Sequence, residues 1–394
     1  MNNKLIILTA AAALSAATVI SLAAMGARTG ENDSLGITVL DRNSSDVEWS
    51  HDGDFIVYSR ASFHDGYHDV WAIRPDGSDR RCLTCGDRFP KKQNGGAALH
   101  PTGKYFLFTA QNEDAVGEKA DALAKPGTGL NCNLWAAGID GDFVVRLTDI
   151  ETNLKRPRGV IHPQFSHDGK RLFWTESLGR GYRRGGKEWG EWALKMGEIS
   201  FMGSKVELKN ITTLTPGDFK SFYESHDFSP DDSRVLFSGN LVAKQPLNGI
   251  DIYELELGHN LLKRLTPTTE DWDEHAHYSP GGDFIVWMSG EGLDVKFGSV
   301  SGNTWRKYVK TDLWAMNPDG SKRRRITFFN EDGSEDSRWF RENVYNTDRV
   351  VVSDSSFSPD GERLAATVAY EGPKMVGSGN IRSILAVIDL EGRL

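Results

Sequence analysis

The sequence predicts an all-β protein made of six repeated four-stranded sheets, and three observations lead to this prediction. A closing phrase of the type Arg-Leu-Thr recurs five times along the chain of 394 residues. An opening phrase, in which an aromatic or apolar residue precedes a polar turn such as Ser-Pro-Asp-Gly, recurs six times. The segments between the two phrases are short and rich in aromatic and β-branched residues, as strands are. Self-similarity at such a period is typical of repeat architectures.

Each repeat provides four antiparallel strands, which we call A to D in chain order. Strand A ends at the opening phrase, and strand D ends at the closing phrase. The predicted B strands are residues 54–58, 104–108, 171–174, 234–237 and 283–287. The predicted C strands are residues 69–73, 133–136, 251–255 and 312–316. Turns such as Pro-Asp-Gly at residues 75–77 predict hairpins between strands C and D.

The opening phrases indicate six sheets, which begin near Val47, Ala97, Pro163, His226, Ala276 and Ser355. Four-stranded sheets repeated around an axis form a β-propeller. The sixth repeat lacks a closing strand, whereas residues 36–40 form a strand that has no repeat of its own. We therefore expect this amino-terminal strand to complete the sixth sheet and close the ring, because an open ring would expose unpaired strand edges.

The amino-terminal residues have the composition of an export segment. Lys4 precedes an apolar, alanine-rich stretch from Leu5 to Met25, which is the pattern of a secretory signal and is also long enough to span a bilayer. We expect residues 1–27 to be a signal peptide or membrane anchor and residues 35–394 to form a single propeller domain. The protein would then be periplasmic or extracellular, with membrane contact only through an uncleaved segment.

The net charge of −9 argues against nucleic acid as a partner, because phosphate binding needs a basic surface. After export, the three cysteines would lie in an oxidising compartment. Cys82 and Cys85 have the spacing of a redox or metal-binding pair, but no thioredoxin-like βαβ pattern surrounds them. We predict instead a disulfide between Cys85 and Cys132, worth roughly 4 kcal/mol, with Cys82 as a small buried apolar residue.

The repeat phrase itself resembles a known family. Phe-Ser-Pro-Asp-Gly-x-x-Leu at residues 357–364, followed in other repeats by a Trp or Tyr strand, Asp-Gly and Leu-Thr, is similar to the WD40-like (PD40) repeat of TolB-like β-propellers. The resemblance covers nearly the whole chain after the export segment. It implies the fold but not one function, because such propellers serve as partner-docking discs, as accessory domains of peptidases and as lyases. The sequence leads us to expect neither the extra α/β domain of TolB nor a hydrolase domain, and it contains no Gly-x-Ser-x-Gly motif.

The strand order places the A–B and C–D turns on one face of the propeller, the turn face, and the B–C loops and D–A connections on the other, the loop face. We expect no room for a ligand on the turn face, because its turns are tight. The long insertions all fall on the loop face, at residues 111–131, 177–192, 290–311 and 328–349. Long loops on one face of a scaffold favour a binding function.

The side chains of the loop face predict an anionic ligand with flat apolar faces, such as a uronic-acid oligosaccharide. Carboxylates bind arginine in a bidentate manner, and sugar rings stack on aromatic side chains. The alternative is solvated loops whose aromatic residues attach them to the propeller. The candidate ligand-binding residues are Gln164, Arg180, Arg183, Arg184, Trp189, Trp192, Trp305, Arg306, Arg338 and Trp339.

Four histidines, His162, His226, His275 and His277, precede or lie within the predicted A strands of repeats three to five, which would line the central tunnel. The rings of His275 and His277 would share one face of their strand. Together with His226 and Glu274 they form a candidate shell for one divalent ion, manganese, calcium or zinc. The alternative is a polar tunnel of hydrogen-bonded histidines and water.

This arrangement also resembles oligogalacturonate lyase, a propeller enzyme with histidines at its blade starts. The resemblance implies that His226, His275 and His277 are metal ligands and that His162 is the base of a β-elimination.

Three hypotheses follow for the function. The first is an exported binding module that engages an envelope protein partner or an anionic oligosaccharide. The second is a metal-dependent polyuronate lyase or other carbohydrate-active enzyme, and the third is a structural envelope scaffold without ligand affinity.

Overall fold

The computed structural model describes residues 35–151, 153–180, 190–217, 221–246, 249–268, 270–294, 308–372 and 381–394. Within these ranges the chain forms six four-stranded antiparallel sheets and two short helices. The predicted all-β propeller with six blades is therefore confirmed. In blades 1 to 5 the strands follow in chain order from the innermost to the outermost, whereas the outermost strand of blade 6 comes from the amino-terminal side.

The chain begins with β1 (Ile37–Arg42), which belongs to blade 6. Blades 1 and 2 consist of β2 (Ser44–Trp49), β3 (Ile56–Ala61), β4 (His68–Ile73), β5 (Arg81–Cys82), β6 (Gly95–Leu99), β7 (Tyr105–Gln111), β8 (Cys132–Gly138) and β9 (Val144–Arg146). Blades 3 and 4 consist of β10 (Gly159–Phe165), β11 (Arg171–Ser177), β12 (Trp192–Met202), β13 (Lys205–Leu214), β14 (Tyr223–Phe228), β15 (Arg234–Gly239), β16 (Asp251–Glu256) and β17 (Leu261–Arg264). Blades 5 and 6 add β18 (Asp273–Tyr278), β19 (Ile285–Ser289), β20 (Asp312–Met316), β21 (Arg324–Arg325), β22 (Val350–Phe357), β23 (Arg363–Glu371) and β24 (Ile381–Asp389).

The ring is closed by strand β1. It pairs with β24 in antiparallel register, with Ile37 opposite Ile388 and Val39 opposite Ala386. The predicted closure by the amino-terminal strand is thus confirmed. Because β1 covers the outer edge of β24, blade 6 has the same four strands as the other blades.

The end of β1 is also attached to blade 1. The Asp41 carboxylate accepts hydrogen bonds from Tyr58 Oη at 2.5 Å and from Arg80 Nη1 at 2.9 Å. It lies 3.0 Å from Arg60 Nε. One buried carboxylate therefore links the closing strand to the first blade.

The apolar core is divided among the interfaces between neighbouring blades. Trp287 of blade 5, for example, belongs to a cluster with Leu236 and Ile252 of blade 4. Trp49 of blade 1 belongs to another cluster that contains Leu385 of blade 6. These packed interfaces hold the innermost strands at fixed positions around the axis.

Each of the six innermost strands in the described ranges carries a β-bulge against its neighbour. Four residues at these bulges have a positive φ: Asp46 (45°), Gly96 (56°), His162 (50°) and His275 (54°). A non-glycine residue in this conformation costs about 1–3 kcal/mol, and such strain is concentrated at functional sites. Bulges change the direction of side chains, and here three strained polar residues line a cavity on the axis.

The long connections of the loop face contain the two helices, α1 (Glu118–Leu123) and α2 (Glu335–Asn343). The Oγ of Ser334 caps α2 by accepting a hydrogen bond from the backbone N–H of Ser337. Among the described residues, no helix combines the length and the apolar character that crossing a bilayer requires. The proposed export segment, residues 1–27, lies outside the described residues.

The predicted disulfide between Cys85 and Cys132 is wrong. Cys82 and Cys85 form the disulfide instead, with their Cα atoms 5.7 Å apart. Cys132 is buried in the core between blades 2 and 3, and its Sγ donates a hydrogen bond to the carbonyl of Ala124. Burial raises the pKa of the Cys132 thiol well above its ordinary value. Because this side chain points into the core, it does not meet Cys85, which is exposed.

Candidate metal and ligand site on the propeller axis

The bulges assemble a polar cluster where the innermost strands approach the axis. His162, His275 and Glu224 each offer a ligand atom, and these three atoms lie within 4.8 Å of one another. We call these residues the axial cluster. They come from blades 3, 5 and 4 respectively, so the cluster exists only when those blades are packed together.

His162 and Glu224 are in direct contact. The Nε2 of His162 lies 2.9 Å from Oε1 of Glu224, and both side chains are almost fully buried. The ring of His275 is edge-on to that of His162, with centroids 5.3 Å apart.

At neutral pH the His162–Glu224 contact is an ion pair. Burial lowers the pKa of His162, but the carboxylates of Glu224, Asp46 and Asp354 outweigh burial and raise the pKa to about 9. Burial alone would raise the pKa of Glu224, but His162 holds it well below its ordinary value. His162 is therefore a histidinium in the metal-free protein, and an ion that bound to its Nε2 would displace the proton held there.

Glu274 contributes a neutral carboxyl group next to this pair. Burial, together with the charge and a hydrogen bond of Glu224, raises the pKa of Glu274 well above its ordinary value. Its Oε2 accepts a hydrogen bond from Nε1 of Trp272 at 2.6 Å and lies 3.9 Å from Nε2 of His275. Glu274 therefore borders the axial cluster on the side of blade 5.

Asp354 of blade 6 borders the cluster on the opposite side. Its Oδ1 lies 3.8 Å from Nδ1 of His275 and 3.6 Å from Nε2 of His277. Burial raises the pKa of Asp354, but the hydrogen bond from His277 and the charges of the histidines outweigh burial and hold it at about 2. The carboxylate also accepts a hydrogen bond from the backbone N–H of Val47, which fixes its position across the gap between blades 6 and 1.

The two remaining predicted metal ligands lie near the cluster but face other partners. Nε2 of His226 is 2.6 Å from Oγ of Ser238, and burial lowers the pKa of His226 well below its ordinary value. Nδ1 of His277 is 3.9 Å from Oδ2 of Asp227. The structure thus brings all four predicted histidines to the axis. Of the predicted ligands, however, only His275 belongs to the axial cluster, whose other two members are His162 and Glu224. The role of each as a ligand stays a prediction.

Cavities adjoin the cluster on both faces. On the loop face, a cavity of about 850 Å³ has Glu224, Glu274 and His275 among its lining residues. Its wall contains Trp192, Phe222 and Trp272, which belong to one apolar cluster, and its rim includes the exposed Lys119 and Lys125.

On the turn face, a cavity of about 320 Å³ reaches the same cluster past His51, His167 and Gln164. The expectation that this face has no room for a ligand is therefore wrong. The tight turns surround the axis but do not close it.

The predicted ligand-binding residues are dispersed. Trp192 lines the loop-face cavity, whereas Gln164 lines the turn-face cavity. Arg180 is partly exposed and lies 3.3 Å from the carboxylate of Glu191. Arg183, Arg184, Trp189, Trp305 and Arg306 lie outside the described residues.

The two candidate ligand-binding residues on α2, Arg338 and Trp339, differ in exposure. Arg338 is exposed, and its Nη1 donates a hydrogen bond to the carbonyl of Gly333. Trp339, in contrast, is buried in a core cluster with Phe340, so its ring is not an exposed platform for a sugar. The sequence did not reveal that this connection is helical, with one face packed on blade 6.

Sequence reasoning missed Glu224, Asp354 and Asp46 as members of the site. A signal was available in the repeat register. His162, His275, Asp46 and Asp354 each stand three residues before the residue that ends their innermost strand. Glu224 and Glu274 both stand one residue further back. Aligning the repeats on the strand-ending residue would have placed all six side chains near one level of the tunnel.

No family model matches the chain, and a search of curated proteins finds no match. Several solved structures are distantly similar to the chain. TolB from Acinetobacter baumannii is 13% identical with a TM-score of 0.45, over 89% of this chain and 65% of that one, so this chain spans less than two thirds of that TolB. An oligogalacturonate lyase in complex with manganese is 11% identical with a TM-score of 0.46, over 90% of this chain and 92% of that chain.

A second oligogalacturonate lyase, from Vibrio parahaemolyticus, is 12% identical with a TM-score of 0.46, over 91% of this chain and 94% of that one. The propeller architecture itself rests on the six four-stranded sheets of this chain.

Proposed function

We propose that this protein is an exported binding propeller that holds one divalent metal ion in the axial cluster and binds a carboxylated oligosaccharide in the loop-face cavity above it. The observation that supports the proposal is the position of His162, Glu224 and His275 beside an aromatic-walled cavity with a cationic rim. Residues 1–27 would direct export, and residues 35–394 would form the binding domain.

The donor set fits a transition metal better than calcium. Two imidazole nitrogens and one carboxylate oxygen suit zinc or manganese, whereas calcium takes six to eight oxygen ligands. Asp354, whose Oδ1 lies 3.8 Å from Nδ1 of His275, would hold that ring in position, as carboxylates do for metal-bound histidines. A bound ion would attract the carboxylate of a uronic acid in the loop-face cavity.

The geometry favours binding over eliminative cleavage of a polyuronate. That reaction would need His162 as a base beside the metal shell. Its Nε2 instead lies 2.9 Å from Oε1 of Glu224, and we therefore assign His162 to the metal ligands rather than to the base. A protein partner on the loop face is compatible with the same cavity and is distinguished from a saccharide by the experiment below.

The proposal is tested by calorimetric titration of chelator-treated protein with manganese, zinc and calcium. We expect one ion per chain, tighter binding of zinc and manganese than of calcium, and loss of binding in a variant with Glu224→Gln and His275→Ala. The matched control is His259→Ala, because His259 is an exposed histidine that contacts Glu256 away from the axis. Absence of metal binding by the native protein would contradict the metal centre.

The ligand is tested by titrating oligogalacturonate into the metal-loaded and the metal-free protein. We expect saturable binding that requires metal and weakens at least tenfold when Lys119 and Lys125 are replaced by Glu. Lys205→Glu, on the exposed hairpin of blade 3, is the control for added negative charge. If metal binds but oligogalacturonate does not, the saccharide part of the proposal is wrong and a protein partner becomes the preferred occupant.

A further inference from the structure

The Cys82–Cys85 disulfide is a second chemical site, at the outer edge of blade 1. Cys82 ends the two-residue strand β5, opposite Trp71 of β4. Cys85 is exposed, while Cys82 is half-buried. One sulfur is thus open to a reactant, and the other lies behind it.

This disulfide contributes little as a crosslink. The bridge connects residues three positions apart, and a bond that closes so short a loop restricts the unfolded chain far less than one that closes a long loop. Strand β5 is also held by its pairing with β4 and by the backbone hydrogen bond from Leu83 to Val70. Stabilisation of the blade is therefore a poor explanation for the bond.

A carboxylate lies beside the two sulfurs. The Asp69 carboxylate, Cys82 Sγ and Cys85 Sγ each contribute an atom to a group in which all three atoms lie within 4.8 Å of one another. Oδ1 of Asp69 accepts hydrogen bonds from Thr84 Oγ1 at 2.8 Å and from Asn94 Nδ2 at 3.0 Å. These donors hold the carboxylate next to the disulfide in a fixed orientation.

A cavity lies beside the half-buried sulfur. Cys82 lines a cavity of about 500 Å³ whose apolar wall includes Phe89 and whose charged residues are of both signs: Arg81, Arg88, Asp87 and Asp140. The thiolate is the form that attacks a disulfide or leaves from one. The cavity gives a thiol-bearing molecule a place to approach the bond.

We propose that Cys82 and Cys85 form a redox-active pair that exchanges electrons with an external thiol or disulfide. In the reduced form, the Cys85 thiolate attacks one sulfur of the partner's disulfide, a mixed disulfide forms, and the partner's other sulfur leaves as a thiolate. Asp69 then takes the proton from the Cys82 thiol, and the Cys82 thiolate attacks Cys85 Sγ and releases the partner's second sulfur. The partner's disulfide gains two electrons and becomes two thiolates, one of which takes the Cys82 proton from Asp69 while the other takes from solvent the proton that Cys85 had lost there, and the chain returns to the Cys82–Cys85 disulfide. The reverse sequence oxidises a partner dithiol.

The test measures equilibration of the native, full-length protein with glutathione buffers and, in parallel, with reduced thioredoxin as a protein dithiol. We expect the reduced fraction of the Cys82–Cys85 pair to follow the ratio of reduced to oxidised reagent, either in the glutathione buffers or with thioredoxin. Exchange with glutathione alone would identify a small-molecule thiol as the substrate class, and exchange with thioredoxin alone would identify a protein dithiol. A pair that stays oxidised in both and is reduced only in denaturant is a structural crosslink, which would overturn the proposal.

Variants assign the roles within the pair. In a Cys132→Ser background, which removes the buried third thiol, Cys82→Ser should accumulate a mixed disulfide on Cys85, whereas Cys85→Ser should trap much less because Cys82 is half-buried. Asp69→Asn keeps an oxygen acceptor for Thr84 but should slow the attack of Cys82 on the mixed disulfide about 100-fold, so that the mixed disulfide on Cys85 accumulates. Equal trapping at both cysteines, or an unchanged lifetime of the mixed disulfide in Asp69→Asn, would contradict the assigned roles.

Discussion

The contact between His162 and Glu224 joins two blades through a buried charge pair. Neither residue is fixed by its own blade alone: His162 lies on a strained bulge of β10, and Glu224 lies on β14. Removing one partner from such a pair leaves a buried charge without compensation, which costs more than the intact pair contributes. The pH at which each residue changes charge is therefore linked to folding.

We predict that the metal-free protein becomes less stable as the pH rises from about 6.5 to 9. The pKa of His162 is raised to about 9 in the folded protein, so its stabilising contribution is complete below the unfolded value of 6.5 and is lost as the pH passes 9. The loss is at most about 3 kcal/mol. Denaturant unfolding in the presence of a chelator, measured across this range, checks the expected slope.

The control for this prediction is Glu224→Gln, which retains the shape of the side chain but removes the charge that raises the pKa of His162. The slope between pH 6.5 and 9 should become markedly smaller in this variant. Parallel stability curves for the native and variant proteins would show that the pair does not govern the pH dependence.

At the scale of elements, the carboxyl-terminal segment is anchored to helix α2 by one arginine. Nη2 and Nη1 of Arg393 lie 2.8 Å and 3.0 Å from the two carboxylate oxygens of Asp336; Asp336 is buried and Arg393 is half-buried. Arg393 also donates a hydrogen bond to the carbonyl of Ile326. The bidentate geometry orients the helix on blade 6 next to the closing strand.

We predict that Arg393→Ala lowers the free energy of unfolding by about 3–5 kcal/mol, because Asp336 would remain as an uncompensated buried charge. The double variant with Asp336→Asn should recover part of this loss. Lys205→Ala provides the matched control, because Lys205 pairs with Glu207 on an exposed hairpin. This substitution should lower the free energy of unfolding by no more than about 1 kcal/mol. Equal effects of Arg393→Ala and Lys205→Ala in chemical denaturation would refute the anchoring role of Arg393.

At the scale of the whole molecule, closure of the ring depends on β1. This strand pairs with β24 along its length, and Asp41 at its end contacts blade 1. Without β1, the outer edge of β24 would be exposed, and the Asp41 contacts between blades 6 and 1 would be lost. A disturbance at this joint should reach the axis, because Asp354 of blade 6 contacts Val47 of blade 1.

We predict that a variant starting at residue 44, which lacks β1, loses the single cooperative unfolding transition and binds metal at least tenfold more weakly. A variant starting at residue 35 keeps the whole closing strand and is the matched control, and its melting curve should be that of the intact propeller. Calorimetric unfolding and metal titration of both variants check this. Identical transitions in the two would mean that the ring does not need β1 for closure.

The sequence predicts some parts of the molecule better than others. The strands are local features: the B strands begin at most two residues after the predicted starts, as in β3 at Ile56 and β19 at Ile285. The buried side of α2 is not predicted, because Trp339 and Phe340 read equally well as exposed aromatic residues in a loop. The predicted disulfide partner of Cys85 is wrong for a similar reason, since only the packing shows that Cys132 faces the core.

The sequence by itself determined the six repeats, the four strands within each and the closing strand, because turn chemistry and strand periodicity act over a few residues and are repeated in every unit. It also placed the histidines near the tunnel. Only the tertiary structure decided that Glu224 faces His162, that Asp354 lies between His275 and His277, and that Asp69 adjoins a disulfide. The physical reason is that these contacts join different blades or successive strands of one blade, so their geometry follows from bulges and packing that no short stretch of the chain specifies.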